Sequence, residues 1–246
     1  MRNLALTVSF DGTNYAGFQI QKNAPTIQEI LEATLRKILK EKVRLLAAGR
    51  TDAGVHAVAH VATVKTTSSI PSFALKRALN SLLPQDIAVQ KVKEVPLSFH
   101  PRYEAISKRY RYTIRNHPSR SPFDRLYTTF YPYPLDLAAM RRAARYLIGK
   151  NDFKSFQAKD KKGRSSVRNI RHLSIRRKSP YLVIDIEGDG FLYKMVRNMI
   201  GTLLEVGRGK RRPADIQKIL SKKDRSGAGP TAPARGLCLL SVRYSS

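Results

Sequence analysis

The chain has 246 residues, with 46 lysines and arginines against 18 aspartates and glutamates, so its formal net charge at pH 7 is +28. A surface this basic favours a polyanionic partner, and nucleic acid is the first choice because each neutralised phosphate releases counterions. Hydrophobic residues make up 42% of the chain, which excludes a disordered basic tail. No apolar run in the sequence reaches the length of a membrane span, so a membrane protein is not expected.

The first half of the chain alternates strand and helix patterns. Residues 4–10 alternate apolar and polar side chains, as a half-buried strand does. Residues 26–41 have a helical apolar stripe that opens with the capping box Thr26 and Glu29. The other predicted elements are strands over 43–48, 58–65 and 87–95 and a helix that begins near Pro71. The order β-α-β-β-α-β is the split βαβ, or ferredoxin-like, arrangement.

The second half repeats this order of elements without repeating the sequence letters. A strand over 106–115 precedes a helix with Asp136 as its N-cap and Gly149 as its C′ glycine. The remaining elements are a hairpin around Ser179-Pro180, helices over 191–206 and from Pro213, and a closing strand over 237–244. We therefore predict an α+β fold of two ferredoxin-like (β-α-β-β-α-β) units, residues 1–104 and 105–246. Their mostly antiparallel sheets are expected to lie side by side around a central basic cleft.

The single cysteine, Cys238, lies within the apolar run Leu237–Leu240. We expect it to pack in the core rather than to act as a reactive thiol. One cysteine allows no internal disulfide, and such low usage is compatible with a reducing compartment. The expected location is therefore cytoplasmic.

The segment Gly49–Ala57 places one carboxylate, Asp52, in a short turn between two predicted strands. Loops held by a rigid scaffold often carry chemistry, and a carboxylate can serve as a nucleophile at a sugar carbon or as a base. Taken alone, these residues favour a structural role in which Asp52 braces the loop. Asp11 is a second acid, but Asp11-Gly12-Thr13-Asn14 is typical of a plain turn.

The sequence has no pattern typical of a metal or cofactor site. The five histidines have no cysteine or acidic partners at zinc spacing. There is no Walker loop, and Gly188-Asp189-Gly190 lacks the third glycine of a dinucleotide fingerprint. No serine lies in a nucleophile elbow. We therefore predict a protein without a metal and without a cofactor.

Aromatic and basic residues alternate in Lys108-Arg109-Tyr110-Arg111-Tyr112. On a strand, Tyr110 and Tyr112 share one face, and Arg109 and Arg111 point to the other. Such a strand can stack a base and bind its phosphates. The alternative is a pair of core tyrosines with solvated arginines.

Arg197 falls among apolar neighbours in the predicted helix over 191–206. A buried arginine needs a carboxylate or a phosphate, and Asp52 is the carboxylate we expect as its partner. A solvated arginine is the alternative. The basic loop 159–164 is a candidate guide for RNA, or else a plain solvated loop.

The ordered set of motifs resembles the tRNA pseudouridine synthase A family. The matching segments are Phe10-Asp11-Gly12-Thr13, Gly17-Phe18-Gln19, Gly49–Ala57, Asn80–Pro84, Phe99–Arg102, Lys108–Tyr112, Asn151–Phe153 with Ser155-Phe156, Met195–Asn198 and Gly236-Leu237. They cover essentially the whole chain in family order, and Gly49–Ala57 is the most specific of them. Phe18 departs from the tryptophan that is usual at this position.

The resemblance implies an isomerase that converts uridine to pseudouridine at positions 38, 39 and/or 40 in the anticodon stem-loop of tRNA. Asp52 looks like the catalytic aspartate, acting on a flipped-out base, and Tyr110 looks like the tyrosine that stacks on the target uracil. Arg197 looks like the basic residue that pairs with the aspartate. Arg50 looks like the residue that helps to hold the flipped nucleotide out of the stem. The resemblance also implies a homodimer that needs no cofactor.

Two matters stay open at this level. Asp52 could attack C1′, attack C6 of the base, or abstract the C2′ proton, and the residues do not choose among these. Two other functions fit the same charge and aromatic pattern: a non-catalytic RNA-binding protein, and a nucleoside hydrolase or transglycosylase acting on RNA.

Overall fold

A computed structural model describes residues 1–158 and 165–245. The predicted RNA-guiding loop over 159–164 lies outside the described residues. Contacts divide the chain into two compact units: unit 1 comprises Met1–Ile106 with Cys238 and the residues after it, and unit 2 comprises Ser107–Leu237. Among the described residues, no helix is long and apolar enough to cross a membrane.

The described residues form ten strands and five α-helices, so the α+β class is confirmed. The strands are β1 (Arg2–Phe10), β2 (Leu46–Ala47), β3 (His56–Thr66), β4 (Ile87–Val95), β5 (Ser107–Arg115), β6 (Thr129–Phe130), β7 (Gly149–Asp152), β8 (Val167–Lys178), β9 (Tyr181–Gly188) and β10 (Leu237–Arg243). The helices are α1 (Ile27–Leu39), α2 (Ser72–Leu82), α3 (Leu137–Arg145), α4 (Met195–Gly207) and α5 (Asp215–Lys222).

In unit 1 the strands lie in the order β4-β1-β3, and β2 pairs with β3 on the side away from β1. All of these pairs are antiparallel. The alternation predicted for β1 is confirmed, because Leu4, Leu6 and Val8 are fully buried and Phe10 nearly so. The first amides of α1 have no carbonyl acceptor within the helix, and Thr26 caps one of them: its hydroxyl oxygen accepts the Glu29 amide hydrogen at 3.4 Å.

The closing strand β10 also pairs with a strand of the first half of the chain. Cys238 and Leu239 pair in parallel with His56 and Ala57 of β3. The predicted strand over 43–48 is reduced to β2, which covers β3 only at Ala62 and Thr63. The same edge of β3 needs further backbone partners, and β10 supplies them at His56 and Ala57, where β3 begins.

In unit 2 the strands lie in the order β5-β9-β8-β7, all antiparallel, with the short β6 parallel to β5. The predicted hairpin over β8 and β9 is confirmed. Asp136 is the N-cap of α3, since its carboxylate accepts the Ala139 amide hydrogen at 2.9 Å. The predicted C-terminus of this helix was wrong: α3 ends at Arg145, and Gly149 opens β7 with φ +95°.

Helix α4 begins at Met195, four residues after the predicted start at 191. Lys194 precedes it with a left-handed backbone of φ 57°, which a continuing right-handed helix cannot contain. The segment 191–194 therefore leads into the helix as an irregular turn. Arg197 consequently belongs to the first turn of α4, not to its middle.

The two faces of the β5–β9 ribbon differ sharply in character. Tyr112 lies opposite Ile184, and both are fully buried. On the other face Arg111 lies opposite Asp185, whose side chain is fully buried. Three guanidinium groups contact this one carboxylate, those of Arg109, Arg111 and Arg176, at 3.2, 2.8 and 2.5 Å.

The pKa of Asp185 reflects two opposing effects. Burial alone would raise the pKa of a carboxyl group, but the hydrogen bonds and charges of Arg111 and Arg109 outweigh it and lower the pKa of Asp185. The folded state therefore favours the ionised carboxylate more strongly than the unfolded chain does. This difference links the stability of unit 2 to pH.

We predict that Asp185→Asn lowers the free energy of unfolding by about 2–3 kcal/mol at neutral pH, because it leaves the arginines without their buried counter-charge. Since the folded pKa lies below the unfolded value of about 3.9, the stabilisation by Asp185 is present above that value and is lost as pH falls through the folded pKa. Urea unfolding between pH 7 and pH 2 should show a shallower acid-induced loss for the variant. Equal acid slopes in both proteins would contradict the assignment.

Candidate active site

Asp52 is half-buried in a tight turn that joins the irregular segment 48–51 to β3. The turn is closed locally by a hydrogen bond in which the Val55 amide donates to the Asp52 carbonyl at 3.1 Å. Gly54 permits the turn because its φ is +73°, a value that favours glycine. The carboxylate of Asp52 is thus half-exposed at the start of a short, closed turn.

The segment 11–18 fastens this turn from one side through backbone contacts. The Phe18 amide donates to the Thr51 carbonyl at 3.3 Å, and the Gly54 amide donates to the Tyr15 carbonyl at 3.3 Å. These two bonds flank Asp52 in the chain. Any movement of the segment 11–18 is therefore transmitted to the backbone that carries the carboxylate.

Two glycines make this close approach possible. A Cβ atom at Gly17 would lie 2.5 Å from the Thr51 carbonyl oxygen, and φ at Gly17 is +101°. A Cβ atom at Gly12 would overlap the carbonyl oxygen of Val55. Both glycines fall in motifs that match the family, but the sequence alone gives neither of them a role. Glycine within a motif next to a loop acid is the pattern that points to such backbone contact.

Phe18 and His60 form the floor beneath the turn. Both are fully buried, and their rings stack with centroids 4.1 Å apart and an interplanar angle of 17°. The His60 Nε2 atom lies 3.1 Å from the Gly49 carbonyl oxygen, so the ring also contacts the start of the Gly49–Ala57 segment. The aromatic residue that stands in for tryptophan is thus a packing residue of this floor.

Asp11 has the contacts of a turn residue. Its Oδ1 atom accepts from the Thr13 amide at 2.9 Å and from the Thr13 hydroxyl at 2.5 Å, as an Asx turn does. The same oxygen lies 3.0 Å from Nδ1 of the buried His56, which also accepts the Gly12 amide hydrogen at 3.1 Å. Asp11 therefore braces the segment that fastens the Asp52 turn.

In unit 2, Tyr110 is half-buried on β5. Its ring meets Phe191 edge to face, with centroids 5.2 Å apart and an interplanar angle of 89°. Tyr112, two residues along, takes the core role instead: its hydroxyl donates to the Pro233 carbonyl at 2.8 Å and lies 2.6 Å from Thr129 Oγ1. The two tyrosines share a face of the strand, but Tyr112 is buried and Tyr110 is only half-buried. The alternation of the sequence alone does not predict this difference.

Arg197 is held by the segment 228–236. Its Nε atom donates to the Ala232 carbonyl at 2.8 Å, and the Ala232 amide donates back to the Arg197 carbonyl at 3.1 Å. Gly201 allows this approach, because a Cβ atom there would overlap the Pro230 carbonyl oxygen. The guanidinium is therefore neither solvated at random nor free to change rotamer without breaking a bond.

The positive charge of Arg197 influences the pKa of Tyr112. Burial raises the pKa of Tyr112 to about 12, while the Thr129 hydrogen bond and the positive charges of Arg197 and Arg235 act in the opposite direction. Two cations are thus directed toward this part of unit 2. Arg50, the remaining predicted site residue, is exposed at the start of the Asp52 turn in unit 1.

Known proteins resemble this chain over its whole length. A sequence model described as tRNA pseudouridine synthase matches residues 6–104 and 143–245. The chain belongs to this family. The proteins named tRNA pseudouridine synthase A from Thermoanaerobacter sp. and Geobacter sulfurreducens are 46% and 48% identical to it over 244 residues, which is 99% of this chain. Each of these two relatives is covered over 100% of its length.

The likeness to solved structures is weaker. A crystal structure of a Cbf5-Nop10-Gar1 complex aligns with 96% of this chain and 48% of its own, at 13% identity and a TM-score of 0.40. A likeness of this size supports no conclusion about the present chain. Membership of the tRNA pseudouridine synthase family is therefore shown by sequence.

We predict that Gly17→Ala lowers the rate of pseudouridine formation by at least about tenfold, because its methyl group displaces the Thr51 carbonyl and with it the Asp52 turn. The matched control is Gly149→Ala: its φ is +95°, but its Cβ would meet nothing within 4 Å. Both variants should lose roughly 1–2 kcal/mol of stability from the backbone conformation.

Steady-state kinetics on tRNA, together with thermal unfolding, separate the two effects. Full activity of Gly17→Ala at a temperature where it is folded would contradict the proposed coupling. Equal losses of activity in the two glycine variants would assign the effect to general destabilisation.

Proposed function

We propose that this member of the tRNA pseudouridine synthase family converts uridine to pseudouridine at positions 38, 39 and/or 40 of the tRNA anticodon stem-loop. The observation that carries the proposal is the full-length identity of 45–48% to proteins named tRNA pseudouridine synthase A. The net charge of +28 suits a tRNA substrate, since contacts to phosphates can offset the cost of taking the target base out of the stack.

Asp52 is the proposed catalytic residue. The reaction breaks the bond between N1 and C1′, turns the base, and joins C5 to C1′. The proton on C5 leaves and N1 takes up a proton, so the mass is unchanged. A carboxylate can begin this sequence by attack at C1′ or C6 or by removal of the C2′ proton. The support for Asp52 is its half-exposed carboxylate on a turn that backbone contacts from the segment 11–18 hold in place.

Tyr110, Arg197 and Arg50 are the proposed substrate-binding residues. Tyr110 would stack on the target uracil, and its edge-to-face contact with Phe191 supports the role by fixing the plane of its ring. Arg50 would help to hold the flipped nucleotide, which suits its exposure beside the Asp52 turn. Arg197 would provide the positive charge that pairs with Asp52, and that ion pair stays a prediction.

The finer statements about architecture are proposals of the same kind. In unit 1 the order β4-β1-β3-β2 with antiparallel neighbours supports a ferredoxin-like unit. We propose a second such unit in the other half, a basic cleft between the two, and the predicted boundary between residues 104 and 105. We likewise propose a cytoplasmic homodimer that uses no cofactor. Light scattering of the purified protein tests the dimer.

We predict that Asp52→Asn stops product formation, by on the order of a thousandfold or more, while tRNA binding is retained. Tritium release from tRNA labelled at C5 of uridine measures the reaction, and filter binding measures the affinity. The comparison variant is Asp11→Asn, which removes a carboxylate that braces a turn and should keep measurable turnover. Unchanged tritium release in Asp52→Asn would remove Asp52 from the mechanism.

The product distinguishes the proposed function from its rivals. Isomerisation leaves the mass of the tRNA unchanged, whereas a hydrolase or transglycosylase releases free base. A non-catalytic RNA-binding protein would give neither change. Mapping pseudouridine along the treated tRNA should place the product at positions 38 to 40, and product elsewhere would refute the proposed specificity.

A second prediction concerns Tyr110. Tyr110→Phe should keep most of the activity because stacking needs only the ring, whereas Tyr110→Ala should lower kcat/KM by roughly tenfold to a hundredfold. Single-turnover kinetics on tRNA with a single target uridine measure both variants. If Tyr110→Phe were as damaged as Tyr110→Ala, the hydroxyl rather than the stacking face would be the important group.

A further inference from the structure

The sheet face of unit 2 that points away from Tyr110 carries an unusual charge arrangement. Asp185 is fully buried there, yet the arginines around it are only partly covered: their side chains are 40%, 39% and 51% exposed for Arg109, Arg111 and Arg176. These three side chains are called the arginine cluster below. Each guanidinium group contacts the Asp185 carboxylate, and part of each arginine side chain stays exposed to solvent.

Stability alone does not explain three cations on one acid. Arg111 already forms a two-point contact, with its Nε and NH2 groups 2.8 and 3.0 Å from the two carboxylate oxygens. Arg109 and Arg176 then crowd onto Oδ2 as well, at 3.2 and 2.5 Å. Each added guanidinium also repels the others, so its attraction to Asp185 is partly offset, and a further anion would remove that repulsion.

The cluster carries a net positive charge that could attract such an anion. Three cations against the single charge of Asp185 leave two positive charges in one small area. Glu187 lies opposite Arg109 in the β5–β9 pairing and accepts the Ser107 hydroxyl at 2.7 Å, so it offsets only part of this excess. Lys178 continues the basic row along β8 beyond Arg176. The face is therefore positive even when both of its acids are counted.

The geometry also suits one kind of anion in particular. Asp185 fixes three planar guanidinium groups side by side, which lowers the entropy cost of using them together. Arginine forks match the oxygens of a phosphate. A phosphate group at the surface of the cluster would supply acceptors and the missing negative charge at once.

We propose that the arginine cluster binds a backbone phosphate of tRNA, at a site separate from the one that receives the target uridine. This inference rests on tRNA being the substrate, as in the proposed function. The cluster and Tyr110 lie on opposite faces of β5, so a phosphate bound here does not compete with a base stacked on Tyr110. The cluster contributes affinity and orientation, not catalysis.

The test replaces Arg176, because Asp185 keeps other arginine partners without it. Arg176→Gln removes one hydrogen bond to Asp185, and the two-point contact of Arg111 remains to hold the carboxylate. We expect tRNA binding to weaken by roughly threefold to tenfold, and the slope of log Kd against log salt to fall by about one. The kcat at saturating tRNA should not change. Fluorescence anisotropy at several salt concentrations measures the affinity.

The matched control is Arg142→Gln, which removes the same charge from an exposed position on α3. An effect of Arg176→Gln no larger than that of the control would overturn the site, since net charge alone would explain it. A change in oligomeric state with unchanged binding per protomer would also overturn it, and would assign the face to contact between copies. If Arg176→Gln unfolds at assay temperature, Arg109→Gln provides the same test.

The two proposals can fail separately. Loss of product in Asp52→Asn together with unchanged binding in Arg176→Gln removes only the phosphate site. Absence of pseudouridine from the wild-type reaction removes the proposed function, whatever the arginine variants do.

Discussion

The close approach of the segment 11–18 to the Asp52 turn is the contact on which the candidate site depends. It is made by backbone against backbone, and it is possible only because Gly12 and Gly17 lack side chains. Hydrogen bonds between main-chain groups define position more tightly than a flexible side chain would, and they do not change with pH. The buried pair Phe18 and His60 supports the same turn from below. The carboxylate is thus placed by its surroundings, and the turn itself contributes little.

A similar principle applies to Arg197. A long cationic side chain at a surface ordinarily samples many rotamers, and ordering it costs up to about 2 kcal/mol. Here the cost is met once, during folding, by the reciprocal bonds with Ala232 and by the tight crossing of Pro230 over Gly201. Arg197 is therefore ordered by main-chain groups of the neighbouring segment. Such ordering in advance is a general route to efficient catalysis.

Much of the fold could be predicted from the sequence, because strong periodicity and helix caps are local. The alternation in β1, the capping by Thr26 and the N-cap Asp136 are confirmed. The errors lie where tertiary contacts override local preference. Gly149 is predicted to end a helix but opens β7, and the strand predicted over 43–48 is reduced to β2. The alternation of Tyr110 and Tyr112 predicted a shared face, but only the segment that covers Tyr112 separates a core residue from a half-exposed one.

The pairing of β10 with β3 has a consequence for the order in which the protein can be completed. The chain leaves unit 1 after Ile106 and returns to it only at Cys238, where the last strand of the unit begins. The strand that it joins begins at His56, four residues after Asp52. During synthesis, the start of β3 beside the acid therefore lacks this partner until residues 238 and 239 have emerged from the ribosome. A prematurely terminated chain would carry Asp52 and nearly all the basic residues, yet its acid would lie next to an open sheet edge.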